Sequence, residues 1–176
     1  MTQFVLTLIG DDRPGLVAAL AEAVADRGGS WQQSELAHLA GKFAGIVLVD
    51  VPDERSDELD AALRELGRQG VLDVTVTRAA PGAVARVAAM GHSLTISLLG
   101  QDRPGIVHQL SAVLAGHGVS ILELSTETRD APMAGGVLFE ARATVAAPDD
   151  LPAQTLTSAL EAIGDELMVD IEVQQA

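Results

Sequence analysis

The chain repeats itself. GDDRPGLV opens at Gly10, and GQDRPGIV opens at Gly100. Aligned without a gap, Gly10–Ser30 and Gly100–Ser120 are identical at ten of 21 positions, where ordinary composition gives roughly one or two by chance. The shared residues are Gly10, Asp12, Arg13, Pro14, Gly15, Val17, Leu20, Ala25, Gly28 and Ser30. The correspondence then continues at a larger offset. Phe43 and Pro52 match Phe139 and Pro148, and Leu63, Gly67, Asp73 and Val76 match Leu160, Gly164, Asp170 and Val173. Six added residues of the second copy fall around RDAPMAGG, 129–136, and a seventh near DDLP. Insertions confined to loops are what a duplicated fold produces. Two copies of one domain are expected, at 1–79 and 92–176, joined by the Ala-, Gly- and Pro-rich segment 80–91.

Each copy reads as β-α-β-β-α-β. Strand one alternates, with Phe4, Leu6 and Leu8 on one face, mirrored by Leu94, Ile96 and Leu98. A helix starting near Pro14 puts Leu16, Val17, Leu20 and Val24 on one side and stops at Gly28. Its copy has Ile106, Val107, Leu110 and Leu114, and stops at Gly118. A hairpin follows, tight at Ala40–Lys42 and long in the second copy. Helix two spans about Ser56 to Arg68 with Leu59, Leu63 and Leu66 inward, matched by Leu156, Leu160 and Ile163. Strand four is Val71 to Val76, and Leu167 to Val173 in the copy. This order predicts an α+β fold: in each copy, an antiparallel four-stranded sheet with both helices on one face. The open faces differ. Ala44, Ile46 and Leu48 in the first copy match Glu140, Arg142 and Thr144 in the second. The apolar row either packs against something or belongs to a central strand that is apolar on both sides.

Composition excludes several functions. The net charge is −14, with no cluster of Lys and Arg, so direct binding of nucleic acid is not expected. Three Phe, one Trp and no Tyr leave no stacking platform for single strands. Without Cys there are no disulfides or thiolate metal sites. No apolar run is long enough for a membrane span, and Phe4 to Ile9 is too short for a signal-peptide core, so a cytoplasmic location is expected. The four histidines, His38, His92, His108 and His117, have no metal-ligand spacing, so no metal or cofactor is expected. No catalytic constellation stands out. A phosphate loop would need Lys and Ser or Thr after the last glycine, whereas Leu16 and Val17 follow here.

The repeated turn has chemistry of its own. A helix N-terminus offers unpaired N–H groups and a partial positive charge, so it holds an anion without a basic side chain. Gly15 lets a ligand approach the backbone, and Pro14 fixes the chain without an N–H to satisfy. Asp12, just outside the helix, can accept from an ammonium group. Together they suit an α-amino acid, carboxylate to the amides and amine to the aspartate. The alternative is that Asp12 and Asp102 are helix caps, with Arg13 and Arg103 solvated surface charges.

DRPGLV and DRPGIV, each opening a β-α-β-β-α-β unit, resemble ACT domains, small modules that sense amino acids. The resemblance covers nearly the whole chain, twice. It implies two ferredoxin-like βαββαβ domains that pair with other ACT domains, a homodimer being expected. It also implies ligand contacts from Asp12, Arg13, Pro14, Gly15 and Leu16, and from Asp102, Arg103, Pro104, Gly105 and Ile106. A residue opening strand two, Ser30 or Ser120 here, contributes from the partner domain; family members often carry Asn there. The implied function is non-enzymatic: a regulator that binds a small amino acid, glycine or serine, and acts through a transcription-regulator protein partner. A structural or oligomerisation module without ligand is the alternative. ACT units also precede catalytic domains, but two units and a linker account for all 176 residues.

Overall fold

The computed structural model describes residues 1–80, 91–131 and 135–175. The chain forms two compact units, Met1–Ala83 and Val84–Ala176. Most of the 80–91 segment and the centre of the 129–136 loop lie outside the described residues.

The first unit runs β1 (Thr2–Asp11), α1 (Leu16–Ala25), β2 (Ser30–Leu39), β3 (Lys42–Val51), a 3-10 turn (Asp53–Arg55), α2 (Ser56–Arg68) and β4 (Asp73–Arg78). The second runs β5 (His92–Gln101), α3 (Ile106–Gly116), β6 (Ser120–Asp130), β7 (Val137–Ala147), α4 (Ala153–Leu167) and β8 (Val169–Gln175). Each has one antiparallel sheet, ordered β2-β3-β1-β4 and β6-β7-β5-β8. The ferredoxin-like order is therefore present twice.

Strand registers reproduce the sequence alignment. Gly10 pairs with Phe43 and Gly100 with Phe139. Leu6 faces Val76 as Ile96 faces Val173. Both β2 and β6 carry a bulge at the same place, between Trp31 and Gln33 and between Ile121 and Glu123.

The two cores are aliphatic. Leu6, Leu8, Leu20, Val49, Leu59 and Leu63 are essentially solvent-free in the first unit, as are Ile96, Leu98, Leu110, Ala143, Leu156 and Leu160 in the second. Full burial of one such large aliphatic side chain contributes about 1.5–3 kcal/mol. On the opposite face of the first sheet Ile46 is 50% exposed, and Ala44 and Leu48 are half-buried. Arg142 stands exposed at the matching place in the second.

Three expectations from the sequence need correction. Val17 and Val107 are exposed rather than inward. The buried line of α1 runs through Leu16, Leu20, Ala23 and Val24, and Val17 sits one residue, about 100°, from Leu16 on the flank. Helix one begins at Leu16, with Gly15 rather than Pro14 at its boundary. Strand four begins two residues late in both copies. Val71 and Leu72 belong to the connection, where Leu72 closes the core, and Leu167 ends α4, after which Met168 reverses the chain in a left-handed conformation (φ 53).

Candidate functional site

The site is built on the two turns between β1 and α1 and between β5 and α3. Gly15 and Gly105 occupy the boundary position of each helix with φ of 94 and 98, the left-handed region that an L side chain reaches only with strain. No side chain caps either helix. The first helical bonds run from Ala19 N–H to Gly15 C=O and from Gln109 N–H to Gly105 C=O. The amides of Leu16, Val17 and Ala18, and of Ile106, Val107 and His108, therefore precede the ladder and point out of the helix start. A Cβ built on either glycine would meet nothing within 4 Å, so the turn is open above its backbone.

Asp12 and Asp102 are exposed and lie outside the helices. Neither acts as a helix cap, which removes the purely local explanation of these residues. Their backbones are fixed by the hairpin beside them. Asp12 N–H donates to Gly41 C=O at 2.9 Å, and Asp102 N–H donates to Val137 C=O at 2.8 Å. Arg13 and Arg103 turn back onto their own units. Arg13 Nη2 donates to the Gly70 carbonyl at 2.6 Å, and Arg103 Nη2 to the Glu166 carbonyl at 2.8 Å. They brace the turn against the end of the second helix.

The profile of the ACT domain family matches residues 2–77 and 92–174. The chain belongs to the ACT-domain family. It is 25% identical over 163 residues to the glycine cleavage system transcriptional repressor of Escherichia coli, covering 93% of this chain and 84% of that protein. An unknown protein from Galdieria sulphuraria, known from its crystal structure, superimposes with a TM-score of 0.87 at 32% identity over 99% of this chain and 98% of its own. A candidate glycine cleavage system transcriptional repressor of known structure has the same tandem fold, with a TM-score of 0.74 at 18% identity, covering 99% and 97%.

Within one ACT unit the expected site residues do not all meet. Asp12, Arg13, Pro14, Gly15 and Leu16 form one turn, and Asp102, Arg103, Pro104, Gly105 and Ile106 the other. Ser30 and Ser120 are elsewhere. Ser30 pairs with Asp50, which pairs with Gln3, at the start of β1, whereas Asp12 follows the end of that strand. Eight strand residues separate the two ends, roughly 25 Å. Ser30 Oγ instead accepts from Gln32 Nε2 at 3.1 Å.

The residue missed by sequence reasoning is His38. Its Nε2 lies 3.4 Å from Asp12 Oδ2. The signal was present in the hairpin register: the tight Ala40–Gly41 turn sets His38 opposite Phe43, and Phe43 opposite Gly10. Next to it Lys42 is hydrogen-bonded to Asp11, and its ammonium holds the Asp11 carboxyl below the usual carboxylate range, first by that bond and then by its charge. Among the described residues no three His, Asp or Glu side chains converge as a metal-ligand group, and no helix is long and apolar enough to cross a membrane.

Proposed function

We propose that this ACT protein is a non-enzymatic regulator that binds a small amino acid, glycine or serine, at its two turns and passes that state to a transcription-regulating protein partner in the cytoplasm. Membership of the family supports a regulatory, ligand-binding role. The similarity to a glycine cleavage repressor supports glycine metabolism as the setting. The observation that carries the reading is the uncapped helix start behind a left-handed glycine, with an exposed aspartate beside it, formed twice. The ligand carboxylate goes to the amides after Gly15 or Gly105, where the helix dipole favours negative charge. Its ammonium goes to Asp12 or Asp102. Pro14 and Pro104 shape the turn, Arg13 and Arg103 brace it, and Ser30 or Ser120 of a neighbouring domain closes it. Calorimetric titration with glycine, L-serine and larger amino acids tests this. Millimolar or tighter binding of a small amino acid, lost in the Asp12→Ala, Asp102→Ala double variant, is the expected result; no heat with any of them contradicts it.

A second reading rests on the open face of the first sheet. Ile9 and Ile46 are 52% and 50% exposed there, on neighbouring strands with Ala44 and Leu48. This row supports a homodimer formed through that face. Ile46→Lys should then halve the mass seen by sedimentation; an unchanged mass contradicts it.

A further inference from the structure

We infer that His38 is a proton-sensitive latch on the first turn that competes with a ligand ammonium group for Asp12 and so makes the two turns unequal. The inference rests on the proposed amino-acid binding and adds to it.

The latch joins two segments that are distant in sequence. The tip of the β2–β3 hairpin touches the β1–α1 turn at three points: Gly41 C=O accepts from Asp12 N–H at 2.9 Å, Lys42 pairs with Asp11, and His38 Nε2 lies 3.4 Å from Asp12 Oδ2. The carboxylate that would receive an ammonium group thus already has an imidazole against it. The charged groups at this corner are Asp11 and Asp12 from the turn, Lys42 from β3 and Arg13. Lys42 is committed to Asp11 and Arg13 to the Gly70 carbonyl. The strand's own acid, Glu35, pairs across to Ile46 on the other side of the sheet. The first turn of α1 brings no acid. His38 is therefore the side chain within reach of Asp12 that competes for it when protonated.

The second unit is built otherwise. The counterpart of His38 is Thr128, because His38 pairs with Phe43 as Thr128 pairs with Phe139. Lys42 corresponds to Leu138, and Asp11 to Gln101. Among the described residues Asp102 has no ion-pair partner within 4.0 Å. The duplication kept the turn, but among the described residues only Asp12, and not Asp102, has a histidine against its carboxylate. An imidazolium on Asp12 strengthens as pH falls, so an ammonium-bearing ligand binds the first turn more weakly in acid. His38 and Asp12 are both about half exposed, with side-chain exposures of 57% and 47%. Exposed ion pairs of this kind change an equilibrium by about two- to fivefold.

Amide NMR spectra of the full chain separate the turns through Gly15 and Gly105, with glycine and then L-serine as probes. The second turn has its own histidine, His108 in the first turn of α3, so each turn is compared between wild type and His38→Thr rather than with the other. Between about pH 7.5 and about pH 5.5, binding read at Gly15 should weaken by about two- to fivefold in wild type and not in His38→Thr. Binding read at Gly105 should be the same in both proteins. An equal pH response at Gly15 in the two proteins overturns the latch. Without any probe, the Asp12 and Gly15 amides should shift over that range in wild type and hold still in His38→Thr. If they move alike in both, the latch is wrong. If glycine and L-serine bind neither turn at either pH, the amino-acid reading fails, while this probe-free comparison still decides the latch.

Discussion

The guanidinium of Arg13 donates to the carbonyl of Gly70 at 2.6 Å, across 57 residues of sequence. Arg103 makes the same reach to Glu166, although the chain around that carbonyl differs: a Gly-containing loop in the first copy, the end of a helix in the second. An identical brace on two different backbones argues that the arginine holds the turn. Replacing either with Ala should lower the stability of its unit by about 1 kcal/mol, the range of a charged donor on a backbone acceptor reduced for exposure. Lys, lacking the planar fork, should restore little of it. Denaturant midpoints measure both; Ala variants as stable as wild type contradict the brace.

Gly15→Ala and Gly45→Ala should fail for different reasons. At Gly15 a Cβ meets nothing within 4 Å, so the cost is the left-handed backbone alone, roughly 1–2 kcal/mol. At Gly45 a Cβ would stand 2.2 Å from the Glu35 carbonyl oxygen and 2.9 Å from the Leu36 Cα, both backbone atoms of the neighbouring strand. Something must move, and a loss of about 3 kcal/mol or more is expected. Equal losses in thermal or chemical denaturation would contradict this ranking.

Trp31, the one tryptophan, packs against the first core, so its fluorescence reports that unit. Leu63→Ala and Leu160→Ala each remove a fully buried side chain, from the first and second cores respectively. Each should cost its own unit about 2–5 kcal/mol. Leu63→Ala should move the Trp31 transition, and Leu160→Ala should move a circular dichroism transition that Trp31 does not report. A Trp31 transition that shifts equally in both variants would show one cooperative core instead of two.

Two exposed carboxylates give the first unit an acid dependence. Asp53 is held below the usual range first by the Thr2 hydroxyl and then by the N-terminal ammonium, and Asp11 by Lys42. Both ionise more readily folded than unfolded. Their stabilisation is present above the unfolded value of about 3.9 and is lost as pH falls through the lower folded values. The Asp11→Asn, Asp53→Asn double variant should therefore show a flatter loss of the Trp31 transition below about pH 4. A slope equal to wild type contradicts the assignment.

The duplication was legible because alternation and helical spacing recur at an offset that is fixed within each element and steps only at loops, and the strand registers reproduce it at Phe43 and Phe139. Strand four was harder. Val71 and Leu72 carry the same apolar signal as a strand, and only tertiary packing shows Leu72 closing the core from a loop. The turns were readable from Asp12, Pro14 and Gly15, since glycine is the residue that a left-handed helix boundary favours. The partners of Arg13 and His38 were not, because each is a long-range side-chain contact with no periodic signature.

The central claim is that uncapped amides and an aspartate together hold a zwitterion. A crystal structure grown with glycine or L-serine tests it most directly. The account predicts a ligand at the helix starts after Gly15 and Gly105, its carboxylate on the backbone N–H groups and its ammonium on Asp12 or Asp102. Both turns empty at saturating amino acid, or a ligand bound away from them, would contradict it.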